Sequence, residues 1–323
     1  MPKFAETIFQ IMKKFFLSTT VLAIIACLLW ATPFTAIKIG LKYTTPLQFA
    51  GLRFFLSGLI ILPFIKDFRV KVKEASKRWR FVLWVALLQT TFLYGLFYTG
   101  ISYVPGALGA MLIGAQPLFA AIMAHIMLRN DKMSWQKVFA ILLGLSGVCI
   151  ISLGRADFVF TTTIPIGVGI LLLNNIVGST GNVIVSRDAK NMPPRVLASF
   201  SMIIGGAMLL LFSIPIEHPN WTAVHPGEYY ISLGWLAMVS ALAITIWFGL
   251  LGREGVKVSN LNTWKFIIPI FGACLSWLVL PNENPDTISL IGMFVIACSL
   301  LLVNFLNRRA QKAQVRLSSM ASH

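Results

Sequence analysis

Carboxylates are scarce in this sequence. Only 11 of the 323 residues are Asp or Glu, and each lies in a polar connecting segment or at the end of an apolar run. No acid sits mid-run to carry a proton or select a cation, which argues against coupling through a buried carboxylate and against a cationic ligand. Charge is low altogether: Asp, Glu, Lys and Arg make up 12% of the chain, against roughly 25% in a soluble domain. A water-facing globular surface is thereby excluded. Cysteine is confined to Cys27, Cys149, Cys274 and Cys298, each inside an apolar stretch without metal-ligand spacing. Neither a disulfide framework nor a zinc site is expected, and no cofactor or metal is implied.

What fills the sequence is apolar. Hydrophobic residues account for 57%, and the mean hydropathy is +0.80. A membrane-spanning helix needs about 20 mostly apolar residues, and ten segments qualify: about 15–37, 46–65, 79–100, 106–128 and 134–153, then 164–186, 194–216, 228–250, 260–280 and 288–306. Proline and polar clusters such as Thr44-Thr45-Pro46, Val104-Pro105-Gly106, Met192-Pro193-Pro194 and Asn284-Pro285 separate them. The first run is longer than the core of a cleaved signal, so it reads as a retained helix. Backbone amides in lipid must be satisfied internally, which makes these runs helices. The expected fold is an all-α integral membrane protein.

The 27 Lys and Arg against 11 acids give a net charge of +16. Placing the N-terminus in the cytoplasm puts 22 of these cations in cytoplasmic segments, two (Lys42 and Arg155) in outer loops and three (Lys38, Arg53 and Lys265) within spans. That asymmetry predicts both termini to be cytoplasmic, and it assigns the basicity to topology rather than to nucleic acid. The basic 66–80 segment also reads as a contact for anionic lipid.

The two halves resemble each other at nearly constant offset. Lys42, Pro46 and Gly58 match Lys190, Pro194 and Gly206 at 148 residues; Gly100, Pro117 and Ala140 match Gly252, Pro269 and Gly292 at 152. Residues 1–160 and 161–323 are therefore predicted to be two five-helix repeats, the second ending in a basic cytoplasmic tail. Five is odd, so the second copy is inverted, a construction that lets two related halves exchange conformations.

Residues Phe97-Tyr98-Thr99-Gly100 through Ala115-Gln116-Pro117-Leu118-Phe119 resemble the third-to-fourth-helix region of EamA-type proteins of the drug/metabolite transporter superfamily. Leu29-Trp30-Ala31-Thr32-Pro33-Phe34, Gly51-Leu52-Arg53-Phe54-Phe55, Leu128-Arg129-Asn130-Asp131 and the run Ala140 to Gly147 add to the likeness, which covers about residues 17–306. Asn130 and Ala140 depart from the family's usual Glu and Gly. The resemblance implies ten helices around a central cavity, and transport, more often export, of amino acids, other metabolites or drugs.

Polar and small residues at three- and four-residue steps mark helix faces. Such stripes run through Asn262, Lys265, Pro269, Gly272 and Ser276; Pro46, Ala50, Arg53 and Ser57; Asn175, Gly178 and Asn182; Thr91, Tyr94 and Tyr98; and Trp30, Phe34 and Lys38. Arg53 reads either as the group that recognises a carboxylate or phosphate or as a clamp on helix-end carbonyls. Lys265 reads as a second anion-binding group or as a side chain snorkelling toward the interface. Asn175, Asn182, Asn262 and Gln116 are candidates to hydrogen-bond the rest of a substrate. Trp30, Tyr94, Tyr98, Trp247 and Trp264 are candidates for an apolar wall. Pro117 and Pro269, at equivalent places in the repeats, are candidate kinks for gating.

Taken together, the sequence predicts a non-enzymatic secondary transporter in the cell inner membrane, with small molecules and membrane lipids as its partners. It is expected to move a small amino acid or a related anionic or zwitterionic metabolite by alternating access, more in the sense of export. The alternatives are an exporter of drugs or other metabolites, a lipid flippase and a membrane-embedded enzyme. For the enzyme, the only outer cluster is Glu217, His218, His225 and Glu228.

Overall fold

Long apolar runs cut by proline have one low-energy outcome in lipid, which is helix up to each cut. The computed structural model describes residues 18–104, 109, 112–153, 164–190, 192–271, 274 and 287–321, and all regular structure among them is helical. In order the helices are α1 (Thr19–Ala31), α2 (Pro33–Gly40), α3 (Pro46–Ile61), α4 (Phe68–Lys77), α5 (Trp79–Ala86) and α6 (Phe92–Ser102). They continue as α7 (Gln116–Met127), α8 (Trp135–Leu153), α9 (Ile164–Asp188), α10 (Pro194–Glu217), α11 (Gly227–Leu251), α12 (Val258–Thr263) and α13 (Thr287–Ala321).

Five stretches, Pro46–Phe64, Trp79–Ile101, Ile164–Asp188, Pro194–Glu217 and Gly227–Leu251, are long and apolar enough to cross a membrane. Four shorter apolar helices, Thr19–Ala31, Leu112–Met127, Trp135–Ile151 and Thr287–Val303, fall in four more of the predicted spans. The ninth span, 260–280, opens as α12 followed by a 3-10 turn, Trp264–Phe266; Gly272, Ser276 and most of its later half lie outside the described residues.

Three spans are less regular than the hydropathy suggests. The first is interrupted at Thr32, because Pro33 cannot donate to the ladder; the Thr32 hydroxyl donates to the Leu29 carbonyl there at 2.9 Å. The third contains a π-turn, Leu87–Thr91. It leaves the buried Thr91 hydroxyl in reach of the Ala86 and Gly205 carbonyls, both at 3.3 Å. The ninth tightens to 3-10 just before Pro269.

The helices form two compact units: Met1–Gly95 with Ile184–Val256, and Leu96–Val183 with Lys257–His323. Each unit draws elements from both halves of the sequence. In the first, α3 and α10 cross closely enough that glycine is required. A Cβ on Gly58 would lie 2.6 Å from the Ser199 carbonyl oxygen and 2.8 Å from the Ile203 amide. One on Gly206 would lie 2.9 Å from the Gly51 carbonyl oxygen and closer still to the Phe55 amide. The Ser199 hydroxyl ties the crossing by donating to the Gly58 carbonyl at 2.7 Å. Gly58, Gly51 and Phe55 are each 148 residues before Gly206, Ser199 and Ile203, so the contacts are reciprocal and antiparallel, as an axis of inverted repeats demands.

The second unit repeats this arrangement at offset 152. There α8 and α13 meet where a Cβ on Gly147 would stand 2.7 Å from the Gly292 carbonyl oxygen. The equivalent pair, Ser299 and Ala140, is joined by a hydroxyl-to-carbonyl hydrogen bond of 2.6 Å. Ile141, Val148, Phe266 and Ile296 are buried around it.

Candidate functional site

In the first unit the guanidinium of Arg53 is the central polar feature. Arg53 steps on from Pro46 and Ala50 along α3, which turns it toward α11, and it is only 3% exposed. Its Nε donates to the Ser240 hydroxyl at 2.8 Å, and that hydroxyl donates in turn to the Leu236 carbonyl at 2.8 Å. The guanidinium carbon lies 4.9 Å from the ring centre of Phe54 and 6.0 Å from that of Tyr94. Those two rings pack on one another at 4.0 Å. Among the described residues no carboxylate pairs with Arg53. A guanidinium removed from water wants an anion or several oxygen acceptors, and here the protein supplies one hydroxyl and two aromatic faces. Trp30 and Trp247 stand edge to face in the same unit, centroids 5.0 Å apart.

In the second unit the other polar candidates converge. The Asn182 amide donates to the Asn262 side-chain oxygen at 3.0 Å, and the Asn262 amide donates to the Val258 carbonyl at 2.9 Å. Lys265 Nζ donates to the Gln116 side-chain oxygen at 2.8 Å. Asn175 donates to the Leu112 carbonyl at 2.6 Å. Asn175, Asn182 and Asn262 are all buried, so none faces lipid. Tyr98 is buried with its ring against Phe97, and Trp264 is half-buried in the 3-10 turn.

Pro117 explains part of this convergence. It enters α7 at its first turn behind the Ala115 N-cap, so the helical ladder is interrupted there. The carbonyl of Leu112 is left near the break and is taken up by Asn175 as well as by the Ala115 amide at 3.2 Å. One donor of Asn175 is therefore occupied by backbone, while its side-chain oxygen, with that of Asn174 and the Ser179 hydroxyl, is buried without a protein partner. Pro269 follows the 3-10 turn that carries Lys265. The two equivalent prolines thus each stand beside a member of the Lys265–Gln116 pair. The side chains of Phe34 and Lys38 lie outside the described residues.

Sequence patterning missed three polar devices. Ser240 escaped because α11 is apolar or small on every face and offers no stripe to read. Glu217 reaches back to the start of α3 and accepts from the amides of Leu47 at 2.8 Å and Gln48 at 3.2 Å, which complements the positive end of that helix. Asp131 is 1% exposed, pairs with Lys137 at 2.9 Å and accepts from the Ser259 amide at 2.9 Å. The Ser259 hydroxyl bonds to both members of the pair. Of the outer cluster, Glu228 accepts from the Tyr43 hydroxyl, and His225 packs on Tyr229 with centroids 4.2 Å apart. Among the described residues no three His, Cys, Asp or Glu side chains gather around a common point.

Comparison with known proteins places the chain in a family. The model of the EamA-like transporter family matches residues 17–153 and, a second time, residues 165–305. The chain belongs to the EamA-like transporter family. It is 27% identical over 318 residues to an uncharacterized transporter, YvbV, of Bacillus subtilis (strain 168), covering 94% of this chain and 97% of that one. It is 22% identical to an uncharacterized inner membrane transporter, YedA, of Escherichia coli (strain K12), covering 85% and 87%. A crystal structure with 18% sequence identity superposes with a TM-score of 0.72 over 90% of this chain and 98% of the other, so the two share a fold.

Proposed function

We propose that this EamA-like transporter is a secondary transporter that exports a small amino acid, or a related anionic or zwitterionic metabolite, by alternating access. It resides in the cell inner membrane with both termini in the cytoplasm. The bias of 22 cations to one side and two to the other supports that orientation, and a relative bears the name of an inner membrane transporter.

The observation that carries the substrate class is Arg53. A buried guanidinium held by one hydroxyl and two rings, with no carboxylate beside it among the described residues, favours a ligand that brings the carboxylate. Aromatic faces at the same place favour an apolar side chain on that ligand. The second unit holds its own polar cluster, in which Asn182 bonds to Asn262 and Lys265 to Gln116. Pro117 and Pro269 mark the places where the helices bend as the repeats exchange conformations.

A thermal-shift panel of amino acids, each paired with its decarboxylated amine, tests the assignment. An amino acid should stabilise the wild type, its amine should not, and Arg53→Gln should abolish the response. Equal stabilisation by acid and amine, or an unchanged response in Arg53→Gln, would remove the carboxylate from the account.

A further inference from the structure

We propose that the first unit carries a separate site for the phosphodiester headgroup of an anionic phospholipid, distinct from the substrate groups above. A cleft of about 550 Å³ opens between the end of the α3 segment, the start of α10 and the end of α11. Lys66, Lys71, Arg195 and Arg253 line it, with Asp67 as the single acid. Both arginines are already set in place by the protein. Arg195 donates to the Phe64 carbonyl at 3.0 Å, and Arg253 donates to the Thr19 hydroxyl at 3.1 Å. Lys66 is exposed and placed to meet a ligand from outside; Lys71, half-buried, pairs with Glu74 at 2.9 Å, so a phosphodiester would compete with that carboxylate for its ammonium.

The start of α10 adds to this field. The 24-residue helix begins behind Pro193 with no side-chain cap and no acid in its first turn, so its positive end is not neutralised by the protein. The same cleft is lined by the apolar side chains of Leu22, Ile246 and Leu250. Cations and apolar side chains lining one cleft match an amphiphile better than a free anion.

The surroundings point to the same occupant. Phe64 is 64% exposed, and Phe68, Val70 and Trp79 on the same segment are exposed too. Large apolar and indole side chains beside a basic patch are what a chain presents to the headgroup layer of a bilayer. The basic segments Lys66 to Arg80, Arg195 and Arg253 belong to the side predicted to be cytoplasmic, where anionic lipid would be met.

The test uses the purified full-length protein in a neutral detergent and follows its unfolding temperature. Phosphatidylglycerol, phosphatidylcholine and inorganic phosphate are titrated into wild type, into Lys66→Gln/Lys71→Gln and into Lys73→Gln/Lys77→Gln. The last variant removes equal charge from the same segment but outside the cleft. Phosphatidylglycerol should stabilise wild type and Lys73→Gln/Lys77→Gln at the same half-saturating concentration. Lys66→Gln/Lys71→Gln should need more lipid, by roughly fivefold per lysine. Native mass spectrometry, which does not depend on the starting stability of a variant, should count one fewer retained phosphatidylglycerol in Lys66→Gln/Lys71→Gln alone. Equal weakening of both variants would overturn the site in favour of diffuse surface charge. Stabilisation by phosphate or phosphatidylcholine equal to that by phosphatidylglycerol would overturn the anionic lipid as its occupant.

Discussion

Gly58 and Gly206 make the same contact twice. Each presses its bare backbone onto the main chain of the other's helix, Gly58 on Ser199 and Ile203, Gly206 on Gly51 and Phe55. A duplication read from scattered identities thereby becomes a physical axis: the two helices are antiparallel, and each position meets the partner of its own equivalent.

A methyl group at either glycine has no free space, since backbone atoms of the other helix lie within 3 Å of it. Gly206→Ala and Gly58→Ala should each lower stability by about 1–3 kcal/mol, read as a fall in unfolding temperature of the detergent-solubilised protein. Gly234→Ala is the control, because its Cβ would meet nothing within 4 Å; there the helix preference of alanine should leave stability unchanged or raised. A neutral Gly206→Ala would contradict the close crossing.

Asp131 joins the loop before α8 to the start of α12 through Lys137 and Ser259. Asp131→Asn leaves the largely buried ammonium of Lys137 without its counter-charge and should cost about 1–3 kcal/mol. Combining it with Lys137→Met should recover part of that loss, because the stranded charge is then gone. A double variant as unstable as the sum of the singles would show that the pair acts independently.

Tyr43 predicts a change at alkaline pH. Its hydroxyl donates to the Glu228 carboxylate, and the hydrogen bond and the negative charge hold the phenol's pKa above its ordinary value near 10. The folded state binds that proton more tightly than the unfolded state. The contact therefore contributes fully below the ordinary tyrosine value and is lost as pH rises from there through the raised folded value. Tyr43→Phe should flatten this alkaline limb of a stability-against-pH curve and leave the neutral region's shape unchanged.

The spans were legible because length and hydropathy decide them, and Arg53 was legible because a cation in an apolar run is costly enough to need a reason. The partners were not. Ser240 lies on a helix whose faces do not differ in polarity, so only the packing of α3 on α11 reveals it. The break at Thr32 was written in Pro33, which a hydropathy window averages away. Asn175 was legible as polar and buried, but its bond to the Leu112 carbonyl depends on how α9 lies against the segment before α7, and that is a matter of tertiary register. The basic residues were legible as topology; that Lys66, Lys71, Arg195 and Arg253 share one cleft required the fold.

The most direct test of the substrate assignment is flux. Wild type, Arg53→Gln and Arg53→Lys are reconstituted into liposomes, and movement of a radiolabelled amino acid that stabilises the wild type is followed. Wild type should give saturable flux. Arg53→Gln should lower kcat/KM by at least about tenfold, the worth of a charge-assisted hydrogen bond, and Arg53→Lys, which keeps charge without the paired donors, should restore it only in part. Undiminished flux in Arg53→Gln would contradict the role given to this arginine.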